Sequence, residues 1–352
     1  MRLLITNWRY VGHPRSGGAE YWTQVISEGL VQRGHQVTVF TARAKNQKSI
    51  ETLNGVNVIR RGGMLSVYLH ARRFFRRSQG NFDVVLDEVN TRPFFAHKHF
   101  EGQSIAMFHQ IADEVWDFEA PFPINFIGRR VLEPLWIKSF RGERVLALSD
   151  STAESLSRFG VTDSVVIEPG ISTLQSAGGA RLNSPTVCIL GRLVESKRPL
   201  DAIFAFQRLQ QRYPDARCFV IGDGPLRTRI EDLNLRSVTI TGKISDVERN
   251  QLVSSSHVLL ATSVREGWGM NVTEAAELGA LTIGYDVPGL RDSISSTNGI
   301  LVSPSPSKLA EALINYFQSE VKREPKKFNR NWSEVIDDFE KYFLQMVSHS
   351  ND

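Results

Sequence analysis

Two carboxylates, Glu266 and Glu274, flank a glycine-rich bend and are well placed to grip a polar ligand. An apolar strand predicted over 257–263 leads into the bend, and an alanine-rich helix follows it. Gly267 and Gly269 let the backbone approach a ligand closely. The free N–H groups at the start of the helix suit an anion or a sugar hydroxyl. The pair is therefore expected to hold opposite ends of an extended ligand.

The same residues also fit a purely structural role in helix capping. Asn271 would then be the N-cap, and Glu274, three residues later, would bond back to its backbone N–H. The E-x7-E spacing by itself leaves both interpretations open.

A basic loop follows the first strand of the second half of the chain. It contains Arg192 and Lys197 in the run GRLVESKRP. Two cations at a strand end suit a diphosphate, because Arg offers a planar fork of donors and Lys a point charge. A solvated basic loop is the alternative.

Two glycine turns and one histidine occupy similar positions after predicted strands. Gly17 and Gly18 resemble a phosphate-binding turn but lack the G-x-G-x-x-G spacing, so a tight βα turn explains them equally well. Gly222, in the run IGDGPL, would let a flat base lie close to the backbone, although such turns are common. His109 ends an apolar strand, a position that favours a ligand contact as much as a structural role.

Short β-branched runs alternate with amphipathic stretches, which predicts parallel sheets covered by helices on both faces. The predicted strands are 3–6, 36–41, 56–60, 84–88, 105–109, 145–149 and 165–167, then 186–190, 218–221, 238–241, 258–261, 281–285 and 300–302. The predicted helices are 18–33, 66–78, 125–140 and 151–159, then helices beginning near 200, 226, 245, 273 and 308, and a last one over 332–346.

The small, polar stretch 172–185 has the composition of a linker between two such arrays. We therefore expect an α/β protein with an N-terminal Rossmann-like domain over 1–175 and a C-terminal one over 181–330. A C-terminal helix over 332–352 is expected to pack back on the first domain. Ligands of such sheets bind beyond the carboxyl ends of the strands, which here would face a central cleft.

Composition sets further limits. The 352 residues are 41% hydrophobic and 23% charged, with a net charge of +4, as in soluble globular proteins. The two cysteines, Cys188 and Cys218, lie in apolar strands and are expected to be buried thiols rather than a disulfide framework or metal ligands. The first strand is too short for a signal peptide, and no apolar run approaches the ~20 residues of a membrane span. We expect a cytoplasmic protein.

In order along the chain, these motifs together resemble the retaining, GT-B-fold glycosyltransferases of family 4, also called glycosyl transferases group 1. The resemblance covers nearly the whole chain and includes the run DVPGLRD over 286–292. The stretch around 109–123 is similar to a bacterial subgroup that builds glycoconjugates such as polysaccharide or lipopolysaccharide. The run EPGIS over 168–172 departs from the usual Asn-Gly-Val-Asp of the family.

The resemblance implies a role for each motif residue. Arg192 and Lys197 would hold the donor diphosphate, Glu274 the ribose hydroxyls and Glu266 the donor sugar. The remaining contacts implied are N–H groups of Gly269, Met270 and Asn271 beside the sugar, a nucleotide contact at Gly222, His109 on a sugar hydroxyl, and Gly17 and Gly18 near the phosphates or the anomeric carbon. His109, Arg192, Lys197 and Glu266 would form the catalytic set.

No D-x-D motif is present, so we expect no metal site and no cofactor besides the nucleotide-sugar substrate. A UDP-sugar is favoured over a GDP-sugar, and the acceptor would be a glycan, a lipid-linked molecule or a small molecule. A nucleotide-sugar epimerase on the same scaffold and a non-catalytic basic binding module are the alternatives. Nucleic acid is not expected as a partner, because no recognition helix or aromatic–basic RNA motif occurs.

One predicted helix suggests where the protein works. The run YLHARRFFRR over 68–77 places four arginines around two phenylalanines, and a similar cluster spans 127–141. Basic helices with apolar residues can lie on anionic lipid. Peripheral attachment to the inner face of the cell membrane is therefore one expectation, and a solvated helix whose phenylalanines point into the core is the other.

Overall fold

The apolar runs form parallel sheets as their pattern predicts. The structure, a computed structural model, describes residues 1–14, 17–174 and 181–348. The strands of these residues are β1 (Arg2–Thr6), β2 (Gln36–Thr41), β3 (Ile50–Leu53), β4 (Val56–Arg60), β5 (Val84–Val89), β6 (Gln103–Phe108), β7 (Val145–Ala147), β8 (Val165–Val166), β9 (Thr186–Leu190), β10 (Arg217–Ile221), β11 (Val238–Gly242), β12 (Val258–Ala261), β13 (Leu281–Tyr285) and β14 (Ile300–Val302).

The helices connect these strands. They are α1 (Gly18–Gln32), α2 (Val67–Arg77), α3 (Ala96–His99), α4 (Trp116–Glu119), α5 (Ile124–Ile127), α6 (Glu133–Lys138), α7 (Asp150–Ser157), α8 (Pro199–Arg212), α9 (Arg227–Glu231), α10 (Asp246–Ser254), α11 (Met270–Glu277), α12 (Leu290–Ser296), α13 (Pro306–Gln318) and α14 (Trp332–Ser348). Short 3₁₀ turns cover Asp113–Val115 and Glu195–Lys197, and a π turn covers Gly128–Leu132.

The described residues divide into two units. Unit 1 takes those of 1–112, 128–170 and 330–348, and unit 2 those of 113–127 and 171–329. The sheet of unit 1 has the order β3-β4-β2-β1-β5-β6-β7-β8, and that of unit 2 has β11-β10-β9-β12-β13-β14. Within the described residues every neighbouring pair of these strands is parallel except β3 with β4. The expected pair of Rossmann-like sheets is therefore present.

Three local expectations differ from the structure. The helix expected over 125–140 forms over 124–138 but contains a π turn between α5 and α6, just before Pro134, which has no backbone N–H with which to continue the helical bonding. The hairpin strand β3 and the helices α3, α4 and α12 were not expected. Helix α11 begins at Met270, three residues before the predicted start at Thr273.

The domain boundaries expected from the sequence also differ at two segments. Residues 113–127 and 171–174 were expected in the N-terminal domain but group with unit 2. Ion pairs tie the first segment to unit 2, because buried Arg265 lies 2.9 Å from Glu114 and 3.5 Å from Asp113. Part of the expected linker, residues 175–180, lies outside the described residues.

Both cysteines are buried free thiols. Cys188 lies in β9 and Cys218 in the neighbouring strand β10. Burial raises the pKa of the Cys188 thiol to about 12 and shifts that of Cys218 in the same direction. Small buried hydrophobes were the expectation, and it is confirmed.

The last helix, α14, packs against α1 within unit 1. Phe339 is fully buried and meets the Trp22 ring edge-on at 5.2 Å between centroids. Gly29 makes this close packing possible, since a Cβ there would lie only 2.2 Å from Cδ1 of Ile336. Glu340 adds polar contacts to Arg33 at 2.8 Å and to His35 at 2.7 Å.

Phe339→Ala should therefore lower the free energy of unfolding of unit 1 by about 3–5 kcal/mol, the cost of emptying a buried aromatic site. Leu344→Ala on the same helix removes a side chain that is 49% exposed and should change stability by less than about 0.5 kcal/mol. Urea denaturation of both variants measures the difference. Equal losses in the two variants would contradict this packing.

Candidate functional site

Unit 2 brings two of the predicted site residues into direct contact. The Nζ atom of Lys197 pairs with Oε1 of Glu266, and the Ser263 hydroxyl donates to the same oxygen at 2.6 Å. The loops that carry them follow the adjacent strands β9 and β12 and are tied together, because the Thr262 hydroxyl bonds the Lys197 carbonyl oxygen at 2.9 Å. A cation and a carboxylate therefore meet where the two strands end.

A neighbouring loop supports the backbone of Glu266. Its N–H donates to the carbonyl oxygen of Pro288 at 3.1 Å. Gly289 follows with φ of +81°, and a Cβ there would lie 2.1 Å from the Glu266 carbonyl oxygen. Only glycine fits such an approach and such a φ. The Pro-Gly pair of the DVPGLRD run therefore supports the backbone of the Glu266 loop.

The start of α11 decides between the two interpretations of the E-x7-E spacing. Gly269 is the N-cap at φ of +94°, and the helix begins at Met270. Asn271 therefore lies inside the helix, where its Nδ2 donates to the Leu190 carbonyl oxygen at 3.0 Å. The proposed capping pair of Asn271 and Glu274 is wrong. The Glu274 carboxylate is not needed for capping and is left for another role.

Glu274 is partly covered and has one cation nearby. Its Oε1 lies 4.0 Å from NH2 of Arg249, which also pairs with Asp246 at 3.1 Å. Burial raises the pKa of the Glu274 carboxyl above its usual value, and the Arg249 charge partly offsets this. Hydroxyl groups of a ligand would give this carboxylate the donors that a covered anion requires.

Arg192 is exposed and lies beside a different carboxylate. Its NH2 lies 3.9 Å from Oε1 of Glu119, and that oxygen accepts a hydrogen bond of 2.9 Å from the Ser196 hydroxyl. Helix α4, which carries Glu119, also places the Phe118 ring under the Arg198 guanidinium at 5.4 Å. A carboxylate of the chain itself therefore lies beside the cation expected to bind diphosphate.

Gly222 has a structural reason for its type. Its φ is +138°, and a Cβ there would lie 2.0 Å from the carbonyl oxygen of Gly191. The loops after β9 and β10 thus pack backbone against backbone, and this contact requires glycine whether or not a base lies nearby.

In unit 1, Gly17 and Gly18 form the start of α1. Gly17 is the N-cap and its N–H donates to Oε2 of Glu20 at 2.6 Å. Buried Glu20 also pairs with Arg9 at 2.6 Å. The Gly-Gly-Ala-Glu motif therefore contains its own helix cap, and Arg9 ties the loop after β1 to it.

His109 lies in a buried polar cluster at the carboxyl ends of β1, β5 and β6. Its Nε2 is 3.1 Å from Oε2 of Glu88. The same oxygen accepts from Nδ2 of Asn7 at 2.8 Å and lies 2.6 Å from the Thr23 hydroxyl. The Trp22 ring meets the imidazole edge-on at 4.9 Å. Burial raises the pKa of the Glu88 carboxyl, and its hydrogen bond with His109 partly offsets this.

Several polar residues that surround the predicted ones were not predicted from the sequence. They are Asn7, Thr23 and Glu88 beside His109, Ser263 beside Lys197 and Glu266, and Glu119 beside Arg192. Asn7 follows β1 and Glu88 lies near the end of β5, whose neighbours in the sheet are β1 and β6. The rule that ligands bind at the carboxyl ends of parallel strands could have pointed to both. No sequence signal marks Glu119.

Two protein-family models together match most of the chain. The model described as glycosyl transferases group 1 matches residues 172–334, and the model described as glycosyltransferase family 4 matches residues 16–174. The chain belongs to this glycosyltransferase family. The assignment confirms the expected enzyme class and gives no support to the epimerase alternative.

Among curated relatives, this glycosyltransferase is 24% identical to a human protein named as one of the subunits of phosphatidylinositol N-acetylglucosaminyltransferase, over 86% of the chain and 66% of that protein. The chain thus spans slightly less than two thirds of the human protein. It is 25% identical to the GDP-mannose-dependent alpha-(1-6)-phosphatidylinositol dimannoside mannosyltransferase of Mycobacterium tuberculosis, over 85% of the chain and 84% of that enzyme.

Solved structures share the fold at low identity. A sucrose-phosphate synthase from Thermosynechococcus elongatus matches with a TM-score of 0.72 and 18% identity, covering 99% of this chain and 98% of the other. WaaG, a glycosyltransferase involved in lipopolysaccharide biosynthesis, matches with a TM-score of 0.70 and 16% identity, with the same coverage. Together with the two parallel sheets, these matches confirm the GT-B fold class.

The contact of Glu119 with Arg192 generates a testable prediction. If Arg192 binds diphosphate, Glu119→Gln should tighten nucleoside diphosphate binding by about 1.4- to 5-fold, since an exposed ion pair contributes about 0.2–1 kcal/mol. Titration calorimetry with UDP and GDP measures this change. Glu195→Gln is the control, because Glu195 lies on the same loop as Arg192 but pairs with Arg229 at 3.6 Å. Weaker binding in Glu119→Gln would show that this carboxylate assists the ligand.

Proposed function

We propose that the protein is a retaining, metal-independent glycosyltransferase that moves a hexosyl group from a nucleotide-diphospho-sugar to a lipid-linked acceptor. The observation that carries the proposal is the convergence, in unit 2, of Lys197, Glu266 and Ser263 where β9 and β12 end, with Arg192 on the same loop as Lys197. Cations for a diphosphate and carboxylates for hydroxyls are the chemistry that such a donor needs.

The departing nucleoside diphosphate gains negative charge as the bond to the sugar breaks. Arg192 is 60% exposed and Lys197 is 28% exposed, so both side chains can reach a ligand. Preorganised cations of this kind stabilise charge that develops in the transition state. In this proposal they take the place of a divalent metal ion. Glu266, already paired with Lys197, would contact the donor sugar beside the diphosphate, and Glu274 would bind the ribose hydroxyls.

The donor is proposed to be a UDP-sugar, with a GDP-sugar second. Support comes from relatives of both kinds. A solved structure of Anabaena HepE is a complex with UDP and glucose, and the M. tuberculosis relative is named as GDP-mannose-dependent.

A thermal-shift panel with UDP, GDP, ADP and dTDP and their common sugars tests the function directly, because a ligand of the native state raises the melting temperature. UDP or UDP-sugars should give the largest shift, and slow nucleotide release from the donor should follow. Turnover should be the same with and without EDTA, and the product should keep the anomeric configuration of the donor by NMR. No shift and no release with any nucleotide sugar would reject the proposal.

Arg192→Ala tests the diphosphate assignment. Loss of a group that stabilises transition-state charge should lower kcat/KM by about 10²–10³-fold, while stability stays within about 0.5 kcal/mol. Arg229→Ala is the matched control, since Arg229 has similar exposure in the same unit and pairs with Glu195. Its kcat/KM should stay within about twofold of the parent. Unchanged turnover in Arg192→Ala would remove this residue from the mechanism.

A lipid-linked acceptor is supported by the names of two relatives, both of which contain phosphatidylinositol. The surface of unit 1 adds physical support. Helix α2 buries Phe75 and packs Phe74 against Phe40 at 4.9 Å, so its phenylalanines lie in the core and not on lipid. Its exposed face carries other residues, namely Leu69, Arg72, Arg73, Arg76 and Arg77, preceded by Met64 and Leu65.

Unit 1 exposes further apolar side chains at Val131, Leu132 and Leu135. Among the described residues, no helix is long and apolar enough to cross a membrane. We propose that the basic and apolar face of α2 docks on anionic lipid, which would bring the enzyme to a lipid-linked acceptor.

Replacing Arg72, Arg73, Arg76 and Arg77 with Ser should weaken binding to phosphatidylglycerol vesicles, because each cation near an anionic surface contributes about 1 kcal/mol. The control replaces four exposed arginines of unit 2, which are Arg208, Arg212, Arg217 and Arg236. Co-sedimentation with the vesicles at low and high salt measures the binding of both variants. Equal pelleting of the two variants, or equal binding to neutral vesicles, would count against membrane docking.

A further inference from the structure

The buried carboxylate of Glu88 has no assigned role, yet it is placed to control His109. Glu88 is 1% exposed and His109 is 4% exposed. One oxygen of Glu88, Oε2, lies within hydrogen-bond distance of His109, Asn7 and Thr23. The other oxygen, Oε1, is buried without a partner among the described residues. A covered anion with one unsatisfied oxygen is costly, so a role beyond packing is indicated.

We propose that Glu88 is a positioning residue that holds His109 in the tautomer with its proton on Nε2. The Nε2–H donates to Oε2 of Glu88, and Nδ1 then carries the lone pair and is the ring nitrogen left to accept a hydrogen bond from a hydroxyl of the donor sugar. This inference rests on the proposed function, because it concerns the sugar contact expected of His109.

The neighbours of Glu88 set its orientation. Nδ2 of Asn7 can only donate, and its contact of 2.8 Å makes Oε2 an acceptor. Oδ1 of Asn7 in turn accepts from Nδ2 of Asn90 at 3.0 Å and from the backbone N–H of Arg9 at 3.3 Å. These two donors identify which atom of the Asn7 amide is the oxygen and which is the nitrogen. An oxygen that already accepts from Asn7 is suited to accept from His109 as well.

The imidazole is also held from a second side. Trp22 meets it edge-on with an interplanar angle of 89°, and Trp22 is itself packed against Phe339 of α14. The ring is therefore restrained by an indole and oriented by a carboxylate. The hydrogen bond to the carboxylate decides which ring nitrogen is free for a ligand, and the indole limits rotation of the ring.

The neighbouring residue of the strand provides a matched control. Asp87 is also 1% exposed, but its carboxylate accepts from the backbone N–H groups of Phe94 at 3.0 Å and Ala96 at 3.1 Å. Burial raises its pKa to about 6. Asp87→Asn thus perturbs a buried carboxylate of the same strand without touching His109.

The first test observes the tautomer without any substrate. Proteins labelled with ¹⁵N at histidine are compared by long-range ¹H–¹⁵N NMR, and the spectrum of His109→Ala identifies the ring signals. The wild type and Asp87→Asn should show Nε2–H with an unprotonated Nδ1. Glu88→Ala should show both tautomers in exchange, because nothing then fixes the proton on Nε2, and Glu88→Gln should stay closer to the wild type, because the amide oxygen still accepts. An Nδ1–H tautomer in the wild type, or no change in Glu88→Ala, overturns the proposal.

The second test uses the donor that the wild type turns over, together with analogues that each lack one sugar hydroxyl. For one analogue, the wild type should lose on the order of tenfold in kcat/KM, the factor that 1.4 kcal/mol gives. The ratio of kcat/KM for the full donor to kcat/KM for this analogue should fall to about one in His109→Ala and Glu88→Ala. It should fall partly in Glu88→Gln and stay at the wild-type value in Asp87→Asn. Equal ratios in Glu88→Ala and the wild type overturn the inference but leave the transferase function intact, whereas a wild type that uses no donor contradicts the proposed function itself.

Discussion

The parallel arrangement of the strands is the constraint on which the candidate site depends. In a parallel sheet all carboxyl ends lie at one edge, so loops that are far apart in sequence meet there. In unit 2 this edge joins the loop of Lys197 to that of Glu266, about seventy residues later in the chain. In unit 1 the same rule joins Asn7, Glu88 and His109. The chemistry is supplied by loops, but the register of the strands decides which loops are neighbours.

Carboxylates in this protein occupy three different environments, and their environments suggest different roles. The carboxylate of Glu266 is held in position by Lys197 and Ser263. Glu88 is buried beside His109 and is suited to orient that ring. Glu119 is exposed beside Arg192, where a bound diphosphate would compete with it. Residue type alone does not distinguish these cases, because solvent access and the nearest cation decide the behaviour of each group.

The sequence by itself determined the elements and the family. Alternating apolar runs predicted nearly every strand of both sheets, since a strand buried on both faces must be apolar throughout. The ordered motifs identified the glycosyltransferase family, and they singled out Lys197, Glu266 and His109. Local pattern failed where backbone details mattered, as for the π turn that precedes Pro134 and the true start of α11 at Met270.

Only the tertiary structure decided which polar groups meet. It excluded helix capping by Asn271 and Glu274, because the side chain of Asn271 bonds the Leu190 carbonyl oxygen instead. It assigned residues 113–127 to unit 2 through the ion pairs of Arg265, and it placed Glu119 beside Arg192 and Glu88 beside His109. These pairings join residues 21 to 151 positions apart. Periodicity reports only on neighbours along one element, so contacts of this length are set by how the elements pack.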